Sequence, residues 1–186
     1  MSGTIYLIVE EREDAKVVEA ILLAKQIIVP VYPLYPSHGS ISRLTIELKD
    51  LIATAIAKRQ PGDCIAVLHD ADKFKEARRE NYQRIQTICR RYSKDVVHII
   101  AHDEIEAWLL ADEGICRWLE IRQENQDSRQ KPEDYLKSLV KRKTGKDYSG
   151  PNRAKVRAQI DGNTLSPSLR QALNHLDNAP CVGTIK

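Results

Sequence analysis

Three short runs constrain this chain most: TIYLIV at 4–9, CIAVL at 64–68 and VVHII at 96–100 are apolar on successive residues, and an amphipathic segment lies between each and the next. A strand that is apolar on both faces must be covered on both faces, which is the situation of an inner strand in a parallel sheet flanked by helices. The alternation of strand and helix signals over residues 1–112 therefore predicts βαβ units with right-handed crossovers, a Rossmann-like α/β arrangement. Aromatic residues are only 5% of the 186, with a single Phe, so Ile, Leu, Val and Ala must supply the core.

The intervening segments carry their own punctuation. After the first run comes the acidic stretch Glu10, Glu11, Glu13 and Asp14, and then Val17, Val18, Ile21 and Leu22 at helical spacing, with acids at the positive end of the helix dipole. Residues 27–35 are apolar but are punctuated by Pro30, Pro33 and Pro36, which permits only an edge strand or a polyproline-like segment. A helix is predicted over 43–58, stopped by Gln60-Pro61-Gly62, and another over 76–92. Beyond Asp103 no further strand is evident, and helices are expected at 104–111, 115–121, 132–142, 153–160 and 166–176. The expected organisation is an α/β domain over 1–112 with a helical C-terminal extension over 113–186 packed on it.

Several function classes are excluded at this level. No apolar run reaches the roughly 18 residues of a membrane span, and the N-terminus lacks the pattern of a secretion signal, so a cytoplasmic protein without membrane contact is expected. Cys64, Cys89, Cys116 and Cys181 are scattered without a CxxC pair and read as core residues rather than as a zinc or redox motif. HExxH, GxGxxG, Walker and GxSxG motifs are absent.

The charge is unevenly distributed. The net charge of +3 names no partner, but residues 1–112 hold 15 Lys and Arg against 17 Asp and Glu, whereas 113–186 hold 14 against 9. Residues 137–157 contain eight basic residues and one acid, and Lys141, Arg142, Lys143, Arg153 and Lys155 are the candidate contacts to a phosphate backbone. A solvated helix end followed by a loop accounts for the same run equally well.

Parallel strands leave a sheet at a common edge. Glu10 follows the first run, and Asp70 and Asp72 follow CIAVL; if those strands are neighbours, the carboxylates converge where open α/β sheets bind ligands. Like charges gathered there raise one another's pKa, a cost that a divalent cation removes. Oxygen-only ligands select Mg²⁺ or Mn²⁺, and the chemistry served is phosphoryl transfer or phosphodiester hydrolysis. Read singly, each acid is equally a turn or cap residue. In HDEIEAWLL at 102–110, Glu104 and Glu106 fall in a helix that is apolar nearly all round. Either Asp103 caps this helix with Glu106 closing a capping box, or Glu104 or Glu106 joins or supports the metal site. His69 is a minor candidate base and otherwise packing; His38, His98 and His175 show no partner.

Val9-Glu10 leaving the first strand, a further acid at Glu13 or Asp14, and Asp70-Ala71-Asp72 leaving a buried strand together resemble the Toprim superfamily, over roughly residues 3–112. That fold is shared by topoisomerases, bacterial primases, recombination mediators and overcoming-lysogenization-type nucleases. The stretch EIEAWLLAD at 104–112 resembles a family of small Toprim-like proteins, some associated with bacterial defence or mobile loci. The resemblance implies a Toprim-like sheet, Glu10 as general acid or base, Asp70 and Asp72 holding Mg²⁺, and Glu106 completing the acidic pocket. It departs at Glu11, where Toprim proteins usually carry Gly.

Two functions follow as expectations. One is a Mg²⁺-dependent nuclease or related phosphotransferase acting on nucleic acid, with Lys73 steadying the developing charge. The other is a non-catalytic binding or assembly module working with a partner such as an ATPase, which Glu11 favours. A receiver-like or flavodoxin-like domain is a weaker third, since no downstream Lys stands in the position a receiver requires.

Overall fold

A computed structural model describes residues 3–71, 78–102, 104–123 and 131–179. Four parallel strands, β1 (Ile5–Ile8), β2 (Val31–Leu34), β3 (Cys64–Asp70) and β4 (Val96–Ala101), form one sheet in the order β2-β1-β3-β4. Helices α1 (Arg12–Ala24), α2 (Ile41–Lys58) and α3 (Arg79–Arg91) connect them. The rest of the described chain is helical: α4 (Ile105–Leu110), α5 (Glu113–Leu119), α6 (Pro132–Thr144), α7 (Gly150–Arg157) and α8 (Pro167–Asp177). The protein is an α/β fold of Rossmann-like type, a parallel sheet flanked by helices.

The two faces of the sheet carry separate cores because strand residues alternate. Ile5, Leu7, Ala66, Leu68, Ile99 and Ala101 face α1, α4 and α8, whereas Ile8, Ile65, Val67 and Val96 face α2 and α3. The first core runs without a break from Val17, Val18 and Ile21 of α1 to Leu169, Ala172 and Leu176 of α8, through the buried Trp108. Trp108 spends its indole N–H on the Ser168 hydroxyl at 2.7 Å, so a ring that is 2% exposed leaves no polar atom unsatisfied.

Pro33 sits opposite Leu7 in β2, and β2 is the sheet edge, where the missing N–H costs no ladder bond. The chain passes from β1 outward to β2, then crosses back over β1 to β3 and on to β4. The strand order therefore reverses between β1 and β3, which opens a crevice at their carboxyl ends. After Asp103 the only strand-like pairing among the described residues is the isolated bridge between Asp112 and Thr164. No helix of the described residues is long and apolar enough to cross a membrane.

Candidate functional site

Glu10 leaves β1 and Asp70 closes β3, on the two sides of that crevice. The Asp70 backbone N–H donates to Glu10 Oε1 at 3.4 Å, and the Asp70 carboxylate accepts the Ile105 N–H at 2.9 Å. Strand β3 is two residues longer than the apolar run because His69 and Asp70 both remain in the ladder, opposite Ile100 and Ala101.

The crevice is a pocket of about 180 Å³. Glu10, Glu11, Asp14, Asp70, Glu104, Glu106 and Glu133 line it, with Gly39, Ser40, Arg78 and Arg153 completing the wall. The first turns of α1, α2, α3, α4 and α6, or their cap residues, contribute to this lining. Positive helix ends and unpaired first-turn N–H groups make such a density of carboxylates tolerable. Asp14 Oδ2 accepts the Glu11 N–H at 3.0 Å, and Glu104 Oε2 accepts the Glu133 N–H at 2.9 Å.

Burial works against these charges. It pushes Glu106 up to about 8, helped by the nearby charge of Asp14, and it pushes Asp14 up to about 7 against the pull of the Glu11 N–H. The pocket thus contains two carboxyls, Glu106 and Asp14, that burial makes slow to give up their protons as neutrality is approached.

The structure corrects two readings of the sequence and extends a third. Glu104, not Asp103, occupies the cap position of α4, which places Glu106 two residues on and removes the three-residue spacing a capping box needs; Asp70 meets the first N–H instead. His98 does have a partner: its Nε2 lies 2.9 Å from His69 Nε2, with the rings stacked at 5.1 Å. His69 is buried, turned to the α3 face with its ring edge-on to Tyr82 at 5.4 Å, which is the packing role. Asp72, Lys73 and Asp103 lie outside the described residues.

The basic segment divides. Arg153 lines the acidic pocket, while Lys141 pairs with Asp147 at 3.1 Å and Lys143 pairs with Glu120. Arg142 and Lys155 are exposed and, among the described residues, make no ion pair. Lys141 stands eight residues along α6 from Glu133, roughly 12 Å at 1.5 Å per residue. Gly39, Arg78 and Glu133 were not legible as site residues. They belong to segments far apart in sequence that only the packing of α2, α3 and α6 brings to one edge.

Two carboxylates at a switch point, Glu10 and Asp70, fit the needs of Mg²⁺, which takes one or two carboxylates and completes its shell with water and substrate phosphate. Among the described residues no three His, Cys, Asp or Glu side chains are grouped to hold a metal by themselves. No family model, curated protein or solved structure matches the chain.

Proposed function

We propose that the chain is a cytoplasmic, Mg²⁺- or Mn²⁺-dependent nuclease or related phosphotransferase that acts on nucleic acid at the acidic pocket. The observation that carries this reading is the meeting of Glu10 and Asp70 at the reversal of strand order, inside a pocket lined mostly by carboxylates. The Toprim resemblance supports it, since it assigns the same two positions. In this reading Glu10, Asp70 and Asp72 hold the ion, which when bound neutralises the scissile phosphate and lowers the pKa of the attacking water. Glu10 moves a proton at its carboxylate. Glu106, which keeps its proton near neutrality, is suited to protonate the leaving oxygen. Arg142 and Lys155, with Lys141 and Lys143 once their acidic partners are displaced, contact the phosphate backbone beyond the pocket.

A second reading has its own observation. Glu11 adds a carboxylate to the pocket and pairs with Arg153, as expected of a degenerate site in a module that serves a partner such as an ATPase. Incubation of the purified chain with labelled DNA and RNA in Mg²⁺ and in Mn²⁺, beside Asp70→Asn, separates the two. The nuclease reading expects cleavage that disappears with chelator and in the variant. A protein that neither cleaves nor binds either ion belongs to the module reading.

A further inference from the structure

We propose that Arg153 binds the substrate phosphate, and that Glu11 is the exchangeable counter-ion that holds it in the free protein. This inference rests on reading the pocket as a phosphate-handling site and assigns the phosphate contact within it.

Arg153 and Arg157 are one turn apart on α7 and both face the start of α1, yet they are held differently. Arg157 Nη1 meets Glu13 Oε2 at 2.5 Å and its side chain is 16% exposed, so it is a tie between the two helices. Arg153 is scarcely more exposed, at 23%, but its Nη1 stands 3.8 Å from Glu11 Oε2, outside hydrogen-bond range, and the Glu11 side chain is 51% exposed. One arginine is committed to the fold; the other has donors to offer the pocket that it lines.

The guanidinium is steadied by what lies under it. Its centre is 5.2 Å from the ring of Tyr148, which is itself buried, a contact that holds the guanidinium in place without consuming its N–H groups. A planar fork with unspent donors matches two oxygens of a phosphate. Gly39 leaves room for Glu11 beside the guanidinium: a Cβ at position 39 would come within 2.6 Å of Glu11 Cγ. An anionic group entering past so many carboxylates needs a cation on the wall, and exchange of Glu11 for phosphate leaves Arg153 paired throughout.

The test is fluorescence anisotropy of a labelled single-stranded oligonucleotide with the full chain, in Ca²⁺ and separately in EDTA. Arg153→Ala is expected to weaken binding about tenfold or more, Arg153→Lys to fall between, and Arg157→Gln to leave the affinity close to that of the parent. Glu11→Gln is expected to tighten binding about threefold, and to do so only while Arg153 is present, whereas mere removal of a negative charge would tighten it in Arg153→Ala as well. Thermal melts show whether each variant is folded, and Arg153→Lys decides the matter if Arg153→Ala is not. Unchanged affinity in the Arg153 variants, or weaker binding in Glu11→Gln, overturns the assignment. If the variants behave as expected but the parent binds equally well in Ca²⁺ and in EDTA, the metal reading fails and Arg153 stands. A parent that binds no oligonucleotide in either condition overturns both.

Discussion

The Asp70 carboxylate, at the last position of β3, accepts the backbone N–H of Ile105, the first residue of α4, at 2.9 Å. One side chain thereby joins the sheet edge to the helix that carries Glu106 and Trp108. It satisfies a first-turn N–H of α4, whose cap residue Glu104 accepts the Glu133 N–H with its own carboxylate. Asp70 is thus a structural acceptor and a pocket carboxylate together, and substitutions can separate the two roles.

Asp70→Asn keeps an oxygen that can accept from Ile105 but removes the charge. Its stability should remain within about 0.5 kcal/mol of the parent, while metal-dependent activity is lost. Asp70→Ala removes the acceptor as well and should cost about 1 kcal/mol more, the usual value of a lost helix cap. Urea unfolding of the two variants checks this; equal stabilities would mean that the Ile105 contact carries no weight.

Metal should stabilise the parent. At a hundredfold excess over Kd, linkage gives about 2.7 kcal/mol, which raises the Tm of a chain this size by about 5–10 °C. The shift should appear with Mg²⁺ or Mn²⁺ and be absent in Asp70→Asn. A variant that shifts as far as the parent would move the ion away from the Glu10 and Asp70 edge.

How much of this was legible follows from which forces act locally. The inner strands were, because Ile5, Leu7, Ile65 and Val67 announce by their own chemistry that both faces are covered. Pro33 placed β2 at the edge for an equally local reason. The pairing of Glu10 with Asp70 was legible through topology, since parallel strands share a carboxyl edge. The Glu133 N–H on Glu104, the contact of Arg153 with Glu11 and the His69–His98 pair were not: each joins residues at least 29 apart that tertiary packing alone brings together. His69 and Asp70 also lengthen β3 against their polarity, because one packs under Tyr82 and the other satisfies α4.

The pocket carboxyls give the protein an alkaline sensitivity. Glu106 and Asp14 have folded pKa values raised to about 8 and about 7, above their ordinary 4.5 and 3.8, so the folded state binds protons more tightly than the unfolded chain. The stability they contribute is fully present below the unfolded values and is lost as pH rises through the folded ones. Without metal, the urea midpoint should therefore fall between pH 5 and pH 8.5, and Glu106→Gln should flatten the decline. A midpoint that rises across this range would contradict the burial of these groups.

The histidine pair acts with the opposite sign. His69 Nδ1 lies 2.8 Å from the Asp70 carbonyl oxygen, which can only accept, so this nitrogen carries the proton. In the neutral ring His69 Nε2 is then the acceptor, and His98 must donate through its own Nε2. The His98 proton at Nε2 is already spent on His69, so a second proton must enter at Nδ1 of a half-buried ring, and burial followed by the His69 charge drives His98 down to about 4. With a folded pKa below the ordinary 6.5, the unfolded chain binds the proton more readily, and stability falls as pH drops from 6.5 through 4. Nitrogen-detected NMR at pH 7 should find His69 protonated at Nδ1 and His98 at Nε2, and His98→Gln, which keeps a donor amide, should weaken the acid-side decline. The reverse tautomers, or a His98 that titrates at 6.5, would remove the pair as the origin of that limb.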